Sequence, residues 1–309
     1  MLATDENYAA PCAVVIESLL RNTADPSAIA IYVYGSNLTE QTQQRLKAVA
    51  DRHDASLTIH QPDMSRLQDL PLRENFTADA YNKVLAPDDF SDQNRLLYLD
   101  CDLLVERDVQ PLFEIDLGEK VAGAVPNGPA PFITEFNRRH GFPLDEPVFN
   151  TGVLLVDPEK WKERGVAEQV IRWIAKNEDR LIYRDQDGIN AILKEHIKPL
   201  GSHWNVEARH YRDKWMGISE RWDEVEGDDV ILHYTGPRKP WKRWVYVPRQ
   251  RSYREYLEAT PFSSSDFMAR NRLEFELSRT VGGLRMMIEA AHMRAGQVRQ
   301  EVVEYFTQV

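Results

Sequence analysis

Two aspartates one residue apart interrupt an apolar run, "LLYLDCDLLV" (Leu96 to Val105). In one extended strand Asp100 and Asp102 would face the same way, because residues two apart share a face. Buried carboxylates are costly unless they are paired or metal-bound, and two on one face repel each other. A divalent cation removes the repulsion and leaves coordination positions for water and phosphate oxygens. The pair predicts a metal site that holds a phosphorylated ligand; the alternative is a turn at Asp102 and a helix cap at Asp100.

Two other segments combine apolar runs with polar side chains. The strand-like "FNTGVLLVD" has Asn150 near its start, and "YRDQDGIN" places Asp185, Gln186 and Asp187 before an apolar helical segment. Turn chemistry and helix capping are ordinary roles for these residue types. Orientation of a ligand is the functional alternative.

A third segment, "ILHYTGPRKPW", ends an apolar run at His233 and continues to Gly236 and Lys239. A glycine lets the backbone approach a phosphate closely, and a lysine neutralises its charge. The alternative is a surface hairpin with a satisfied histidine.

Composition limits the classes of function. The chain has 309 residues and a net charge of −11, which argues against nucleic-acid binding. Two cysteines give no disulfide framework and no thiolate zinc site. The start lacks a signal-peptide pattern, and no apolar run is long enough to span a membrane. We therefore expect a cytoplasmic protein, with peripheral membrane contact left open.

Alternating patterns predict an α/β fold with a parallel sheet covered by helices on both faces. Helices are expected at Ala9–Thr23 and Thr39–His53, and strands at Ile29–Gly35 and at "SLTIHQ". Further along, "FNTGVLLVD" is expected to be a strand that leads into a helix over residues 158–177.

Five motifs follow one another along most of the chain: "ATDENYA", "LYLDCDLLV", "FNTGVLLVD", "DQDGIN" and "HYTGPRKPW". Together they resemble glycosyltransferase family 8, the retaining sugar-nucleotide transferases that include bacterial lipopolysaccharide galactosyl- and glucosyltransferases and glycogenin. The resemblance implies a GT-A-type, Rossmann-like α/β fold with a mostly parallel central sheet. The resemblance covers about residues 3–241, and we expect a catalytic domain over residues 1–260. The apolar spacing from Leu284 onward predicts a helical extension over residues 261–309.

The resemblance also implies roles for individual residues. The residues implied to bind the nucleotide are Ala3, Thr4, Asp5, Asn7, Tyr8, Asp100, Cys101, Gly236 and Lys239. The residues implied to contact the donor sugar are Lys83, Asn127, Asn150, Asp185 and Gln186. Of these, Asp185 and Gln186 are the catalytic candidates. The metal ligands would be Asp100, Asp102 and His233, a mixed set that suits Mn²⁺, with Mg²⁺ as the alternative.

The implied reaction moves glucose or galactose from a UDP-hexose to an acceptor hydroxyl, on a saccharide or another molecule, with retention. A glycosyl–enzyme intermediate and same-face attack both explain retention, and the amide of Gln186 is a poor nucleophile. One departure from the family pattern is Lys83, at a position where an arginine is usual. A lysine keeps the positive charge but cannot make the bidentate contact with an oxyanion that a guanidinium makes.

Two other classes of function compete with this interpretation. A sugar nucleotidyltransferase shares the fold type, but "ATDENYAAPC" lacks the glycine-rich basic signature. A catalytically inactive sugar-nucleotide-binding protein would not need all three metal ligands, and all three are present.

Two late segments suggest interaction surfaces. Residues 238–254 contain seven basic and no acidic residues, with Trp241, Trp244 and Tyr246 as candidate interfacial anchors. The segment is expected to face an anionic acceptor or to make peripheral contact with an anionic membrane, and the alternative is a solvated loop. From Leu284 to Tyr305 apolar residues alternate at spacings of four and three, the pattern of a helix that packs on a partner. We expect residues 284–306 to form a homodimer contact, with packing of this helix on its own domain as the alternative and Gly282 and Gly283 as a hinge before it.

Overall fold

The computed structural model describes residues 1–61, 78–127, 131–215, 230–242, 244–262, 277, 280–284, 286–288 and 291–292. Within these ranges the strands are β1 (Leu2–Asp5), β2 (Ala30–Ser36), β3 (Ser56–His60), β4 (Leu96–Leu99), β5 (Leu103–Val105), β6 (Ala122–Pro126), β7 (Phe149–Val156), β8 (Ile197–Pro199), β9 (Val206–Glu207) and β10 (Ile231–His233). The α-helices are α1 (Ala9–Asn22), α2 (Glu40–Asp51), α3 (Ala78–Leu85), α4 (Gln110–Phe113), α5 (Pro131–His140), α6 (Pro158–Glu163), α7 (Val166–Lys176), α8 (Asp185–Leu193), α9 (Ala208–Trp215) and α10 (Gln250–Glu258).

The N-terminal strands form a parallel sheet in the order β1-β2-β3. Helices α1 and α2 provide the crossovers that parallel neighbours need. Pro11 lies in the first turn of α1, where its missing N–H costs no helical hydrogen bond. Thr39 caps α2 by accepting a hydrogen bond from the backbone N–H of Thr42, as the "TEQT" pattern predicts.

A second sheet has the order β4-β7-β6-β8. All eight residues of β7 are buried, which its almost continuous apolar sequence requires. Strands β4 and β6 are antiparallel to β7, whereas β8 is parallel to β6. The α/β fold is therefore confirmed, with sheets that mix parallel and antiparallel pairs.

The apolar run around the aspartate pair is divided, contrary to the expectation of one strand. Strand β4 pairs with β7, whereas β5 pairs with β10 in a third sheet of order β5-β10-β9. Asp100, Cys101 and Asp102 lie between them, where the chain passes from one sheet to the other. The aspartates therefore meet through a turn, and the alternation of a single strand does not place them.

Two other expectations are corrected. The helix expected over residues 158–177 is two helices, α6 and α7, because Gly165 between them has a φ of +58°. The expected hinge at Gly282 and Gly283 is wrong, since both glycines lie within helical residues 280–284. Among the described helices, none is long and apolar enough to cross a membrane.

Candidate active site

A cavity of about 580 Å³ lies where β4, β9 and β10 end and β7 begins. Its volume falls in the range of roughly 300–1,000 Å³ that is usual for small-molecule sites. The wall brings together residues that are far apart in the sequence: Lys83, Asp100, Asp102, Asn127, Asn150, Asp185, Gln186, His233 and Gly236. Nine of the residues expected to bind metal, diphosphate or donor sugar thus share one cavity.

Three of these side chains form a candidate metal centre. One ligand atom each from Asp100, Asp102 and His233 lies within 4.8 Å of the others. His233 Nε2 is 3.1 Å from Asp102 Oδ1 and 3.8 Å from Asp100 Oδ2. Two carboxylates and one imidazole fit a divalent cation of intermediate softness and leave positions for phosphate oxygens.

Residues that sequence reasoning missed determine how His233 is oriented. Its Nδ1 lies 2.9 Å from Asn205 Oδ1, and Asn205 Nδ2 donates to Asn150 Oδ1 at 3.0 Å. Nε2 is therefore the nitrogen that faces the aspartates, as in metal sites where the other ring nitrogen is hydrogen-bonded. A Cβ at Gly152 would lie 2.2 Å from His233 Cε1 and 2.8 Å from Asp100 Oδ2, so a side chain there would displace both.

Lys83 joins the metal centre to helix α8. Its Nζ is 3.0 Å from Asp100 Oδ1 and 2.8 Å from Asp185 Oδ2. Burial alone would lower the pKa of Lys83, but the charges of Asp100 and Asp185 outweigh burial and raise the pKa above its usual value. Tyr98 also donates to Asp100 Oδ1, at 2.7 Å. The lysine that replaces the usual arginine thus holds a metal ligand and a catalytic candidate together.

The loop after β10 places Lys239 against the other metal aspartate. Lys239 Nζ donates to Asp102 Oδ2, and also to the carbonyl oxygen of Tyr234 at 2.6 Å. Burial alone would raise the pKa of Asp102; the charges of His233 and Lys239 outweigh it and hold the pKa well below its usual range. Gly236 lines the cavity with a φ of +74°, a backbone conformation that favours glycine.

Helix α8 presents the catalytic candidates from its first turn. Gln186 Oε1 accepts a hydrogen bond from the backbone N–H of Thr151 at 3.2 Å, which holds its amide at the cavity wall. Asp187 points inward and accepts from the backbone N–H groups of Ile182 and Tyr183 at 2.5 and 3.0 Å. Burial raises the pKa of Asp187 to about 6.

The donor-sugar candidates differ in how their polar groups are used. Asn150 Oδ1 accepts from the backbone N–H of Gly152 at 2.9 Å as well as from Asn205, so part of this side chain is structural. Asn127 Nδ2 is buried and has no hydrogen-bond partner among the described residues. A buried donor of this kind calls for a partner, and an oxygen of a bound ligand could provide it.

The first-loop residues that are expected to bind the nucleotide lie beside the metal centre, but they do not line the cavity around it. Asp5 Oδ1 accepts from the backbone N–H of Tyr8 at 2.9 Å, and Asn7 Nδ2 donates to Asp5 Oδ2 at 3.3 Å. Partial burial, followed by the charge of Asp102, raises the pKa of Tyr8. Cys101 is buried and donates to the carbonyl oxygen of Ala3 at 3.1 Å, which joins the aspartate turn to β1; Thr4 in β1 is buried.

The residues of the basic stretch at 238–254 have different environments, since some are packed or line the cavity and others are exposed. Of the expected anchors, Trp241 packs on Tyr253 with ring centroids 5.7 Å apart, and Tyr246 lines the cavity. Trp244 is 45% exposed. Arg249 pairs with Glu106 at 3.1 Å. Arg243 lies outside the described residues.

Comparison with known proteins identifies the family. Residues 1–245 match Glycosyl transferase family 8, and the chain belongs to this family. It is 28% identical to the lipopolysaccharide 1,3-galactosyltransferase of Salmonella typhimurium, over 84% of this chain and 77% of that protein. It is 25% identical to general stress protein A of Bacillus subtilis, over 84% of this chain and 93% of that protein.

Solved structures support the fold. The galactosyltransferase LgtC, in complex with donor and acceptor sugar analogues, has a TM-score of 0.71 at 24% identity, over 84% of this chain and 95% of that chain. The glycosyltransferase GlyE of Streptococcus pneumoniae has a TM-score of 0.63 at 23% identity, over 83% of this chain and 59% of that chain. The protein is a glycosyltransferase of family 8 with the α/β fold of these structures.

Proposed function

We propose that this protein is a retaining hexosyltransferase that moves glucose or galactose from a UDP-sugar to an acceptor hydroxyl on a glycan, in a metal-dependent reaction. One observation carries the proposal: Asp100, Asp102 and His233 converge on a single cavity whose wall also contains Asp185 and Gln186. The relatives named as lipopolysaccharide galactosyl- and glucosyltransferases support a hexose donor and leave its identity between these two sugars.

Asp100, Asp102 and His233 would hold Mn²⁺, or Mg²⁺ as the alternative, because one imidazole and two carboxylates suit these ions. The bound cation would neutralise negative charge on the diphosphate as it leaves. Lys239 lies on Asp102 and would share this role together with the backbone at Gly236. Asp5, Asn7 and Tyr8 would bind the nucleoside, with a carboxylate for the uracil N–H and a ring for stacking.

In the transfer step, the bond between the anomeric carbon and the β-phosphate oxygen breaks, and its electron pair stays on the phosphate. The acceptor oxygen bonds to the same face of the anomeric carbon, and its proton passes to the phosphate oxygen. The carboxylate of Asp185 is ion-paired with Lys83, which weakens it as a nucleophile, and the amide of Gln186 is a poor nucleophile. These two facts favour same-face attack, with Asp185, Gln186, Asn127 and Asn150 positioning the sugar and excluding water.

Release of UDP from UDP-glucose and UDP-galactose, with Mn²⁺ and with chelator, tests the proposal. We expect metal-dependent release that Asp102→Asn abolishes and Asp92→Asn, an exposed carboxylate outside the site, leaves unchanged. Full activity in the presence of chelator would contradict the metal dependence of the reaction. Metal-dependent binding without turnover, seen by thermal shift, would favour an inactive sugar-nucleotide-binding protein. Release of pyrophosphate from UTP and a sugar phosphate would favour a nucleotidyltransferase.

Self-association through the C-terminal helix is a further part of the proposal. Leu284 and Ile288 of the expected seam are 52% and 58% exposed, whereas the seam beyond residue 292 lies outside the described residues. Light scattering of the full chain and of a chain truncated at Thr280 tests it. A dimer that survives truncation would show that another surface holds it.

Peripheral contact with the inner face of a membrane, by a cytoplasmic protein, would rest on the exposed part of the basic stretch, around Lys242, Trp244 and Arg251. Sedimentation with anionic and with neutral vesicles tests it. Equal binding to both kinds of vesicle, or binding to neither, would contradict it.

A further inference from the structure

One part of the cavity wall comes from outside the segment that matches the family. Met286 lines the cavity, whereas the family match ends at residue 245. Met286 is 4% exposed, and its neighbours Met287 and Ile288 are 45% and 58% exposed. The helix therefore turns one methionine inward and leaves the next two residues facing solvent.

Gly282, one turn earlier, explains how closely the helix approaches. A Cβ at this position would lie 2.6 Å from the carbonyl carbon of Val245 and 2.8 Å from the backbone nitrogen of Tyr246. Real Cβ atoms do not approach backbone this closely, so the contact requires a glycine. The helix thus packs directly on the segment that brings Tyr246, Val247 and Pro248 to the same cavity.

The chemistry of the wall changes from one group of lining residues to the other. The lining residues that follow β4, and those on β7, α8 and β10, are mainly charged or amide-bearing, as a metal, a diphosphate and a sugar require. The residues contributed by α9, by the segment after Trp244 and by the C-terminal helix include Tyr211, Tyr246, Val247, Pro248 and Met286. The charged residue that α9 adds, Arg209, is paired with Glu207 at 2.7 Å. Apolar and aromatic side chains gain from contact with carbon-rich groups and offer little to a phosphate.

We propose that the C-terminal helix forms the acceptor-side wall of the cavity, and that it selects an acceptor glycoside whose aglycone is apolar. The proposal rests on the proposed function, because it needs a donor sugar at the metal-containing end. Met286 contacts the aglycone, and Gly282 sets the distance of the helix from the Tyr246 segment. Acceptor choice is then determined partly by residues that the family match does not cover.

The experiment measures transfer from UDP-glucose and UDP-galactose to octyl and methyl β-glycosides of glucose and galactose, together with UDP release without acceptor. We expect the wild type to prefer octyl glycosides. Met286→Ala should raise the KM for octyl glycosides roughly tenfold, the usual size of an effect from a few lost methylene contacts. Its KM for methyl glycosides and its acceptor-free UDP release should stay unchanged.

Three controls separate this role from a general effect on folding. Met287→Ala removes an exposed methionine from the same helix and should behave as the wild type. Met286→Leu keeps an apolar side chain and should retain the octyl preference. Thermal unfolding of the Met286 and Met287 variants identifies any loss of fold. Gly282→Leu should push the helix outward and weaken octyl glycoside use without altering donor hydrolysis.

Several outcomes would overturn the proposal. Equal use of octyl and methyl glycosides by the wild type would show that the wall does not select an apolar aglycone. The same holds if neither glycoside is used while UDP is released, or if Met286→Ala matches Met287→Ala. Failure of the wild type to release UDP from either donor would refute the proposed function itself, and the acceptor wall with it.

Discussion

Replacement of Asp102 by asparagine in metal-free protein separates two physical pictures of the site. If two bare carboxylates repelled each other, removing one charge would spare or stabilise the fold. In the structure Asp100 shares the charge of Lys83 with Asp185, and Asp102 contacts His233 and Lys239. These partners hold the pKa of Asp102 well below its usual range in spite of burial. We therefore expect Asp102→Asn to destabilise the metal-free protein.

The expected loss follows from the contacts. A hydrogen bond to a charged group contributes about 1.5–3 kcal/mol, and the asparagine oxygen can keep one of the two contacts that Asp102 makes. The Asp102 side chain is 16% exposed, so solvent screens a small part of the interaction. An expected loss of about 2 kcal/mol corresponds to a Tm roughly 4 °C lower for a chain of this size.

The pH dependence of this loss has a definite sign. A carboxyl whose pKa is depressed in the folded state contributes stability above its unfolded pKa, near 4, and loses it as pH falls toward the folded pKa. The advantage of the wild type over Asp102→Asn should therefore be full at pH 7 and shrink below about pH 4.

Urea unfolding in chelator, with Asp92→Asn as the control for a surface charge, measures the difference. Added Mn²⁺ should then raise the Tm of the wild type and of the control, but not that of Asp102→Asn. A metal-free Asp102→Asn protein as stable as the wild type would refute the reasoning, because the contacts of Asp102 with His233 and Lys239 would then contribute nothing.

Three shorter predictions concern neighbouring residues. Lys239→Ala should lower kcat more than it raises the KM for the donor, because its charge matters most as the diphosphate leaves; a pure KM effect in steady-state assays would contradict this. Gly152→Ala should abolish the Mn²⁺-induced rise in Tm, since a Cβ would lie 2.2 Å from His233 Cε1; an undiminished rise would be the contrary result. The pKa of Asp187 is raised from 3.8 to about 6, so ionisation of this carboxyl disfavours the folded state. As pH rises from 4 to 6, the free energy of unfolding of the wild type should fall relative to that of Asp187→Asn by about 3 kcal/mol. Urea unfolding at several pH values measures the difference, and a difference that stays constant would contradict the prediction.

Local features of the structure could be predicted from the sequence because neighbouring residues cause them. Thr39 caps α2 through a contact three residues away. Strand β7 is buried along its whole length because its side chains are apolar or small on both faces. The sequence also showed that a metal site was possible, because the side chains of Asp100, Asp102 and His233 are of types that bind metal. The order of five short motifs then identified the family.

Only the tertiary structure decided how these groups meet, because the deciding contacts join residues far apart in the chain. The choice of β7 and β10 as separate partners for β4 and β5 turned one apolar run into two strands, with the aspartates between them. No local pattern marks Asn205 as the partner of His233, since an asparagine serves turns and caps equally well. Met286 likewise lies off the alternating apolar pattern that begins at Leu284, and its position at the cavity depends on the close packing of Gly282 on distant backbone.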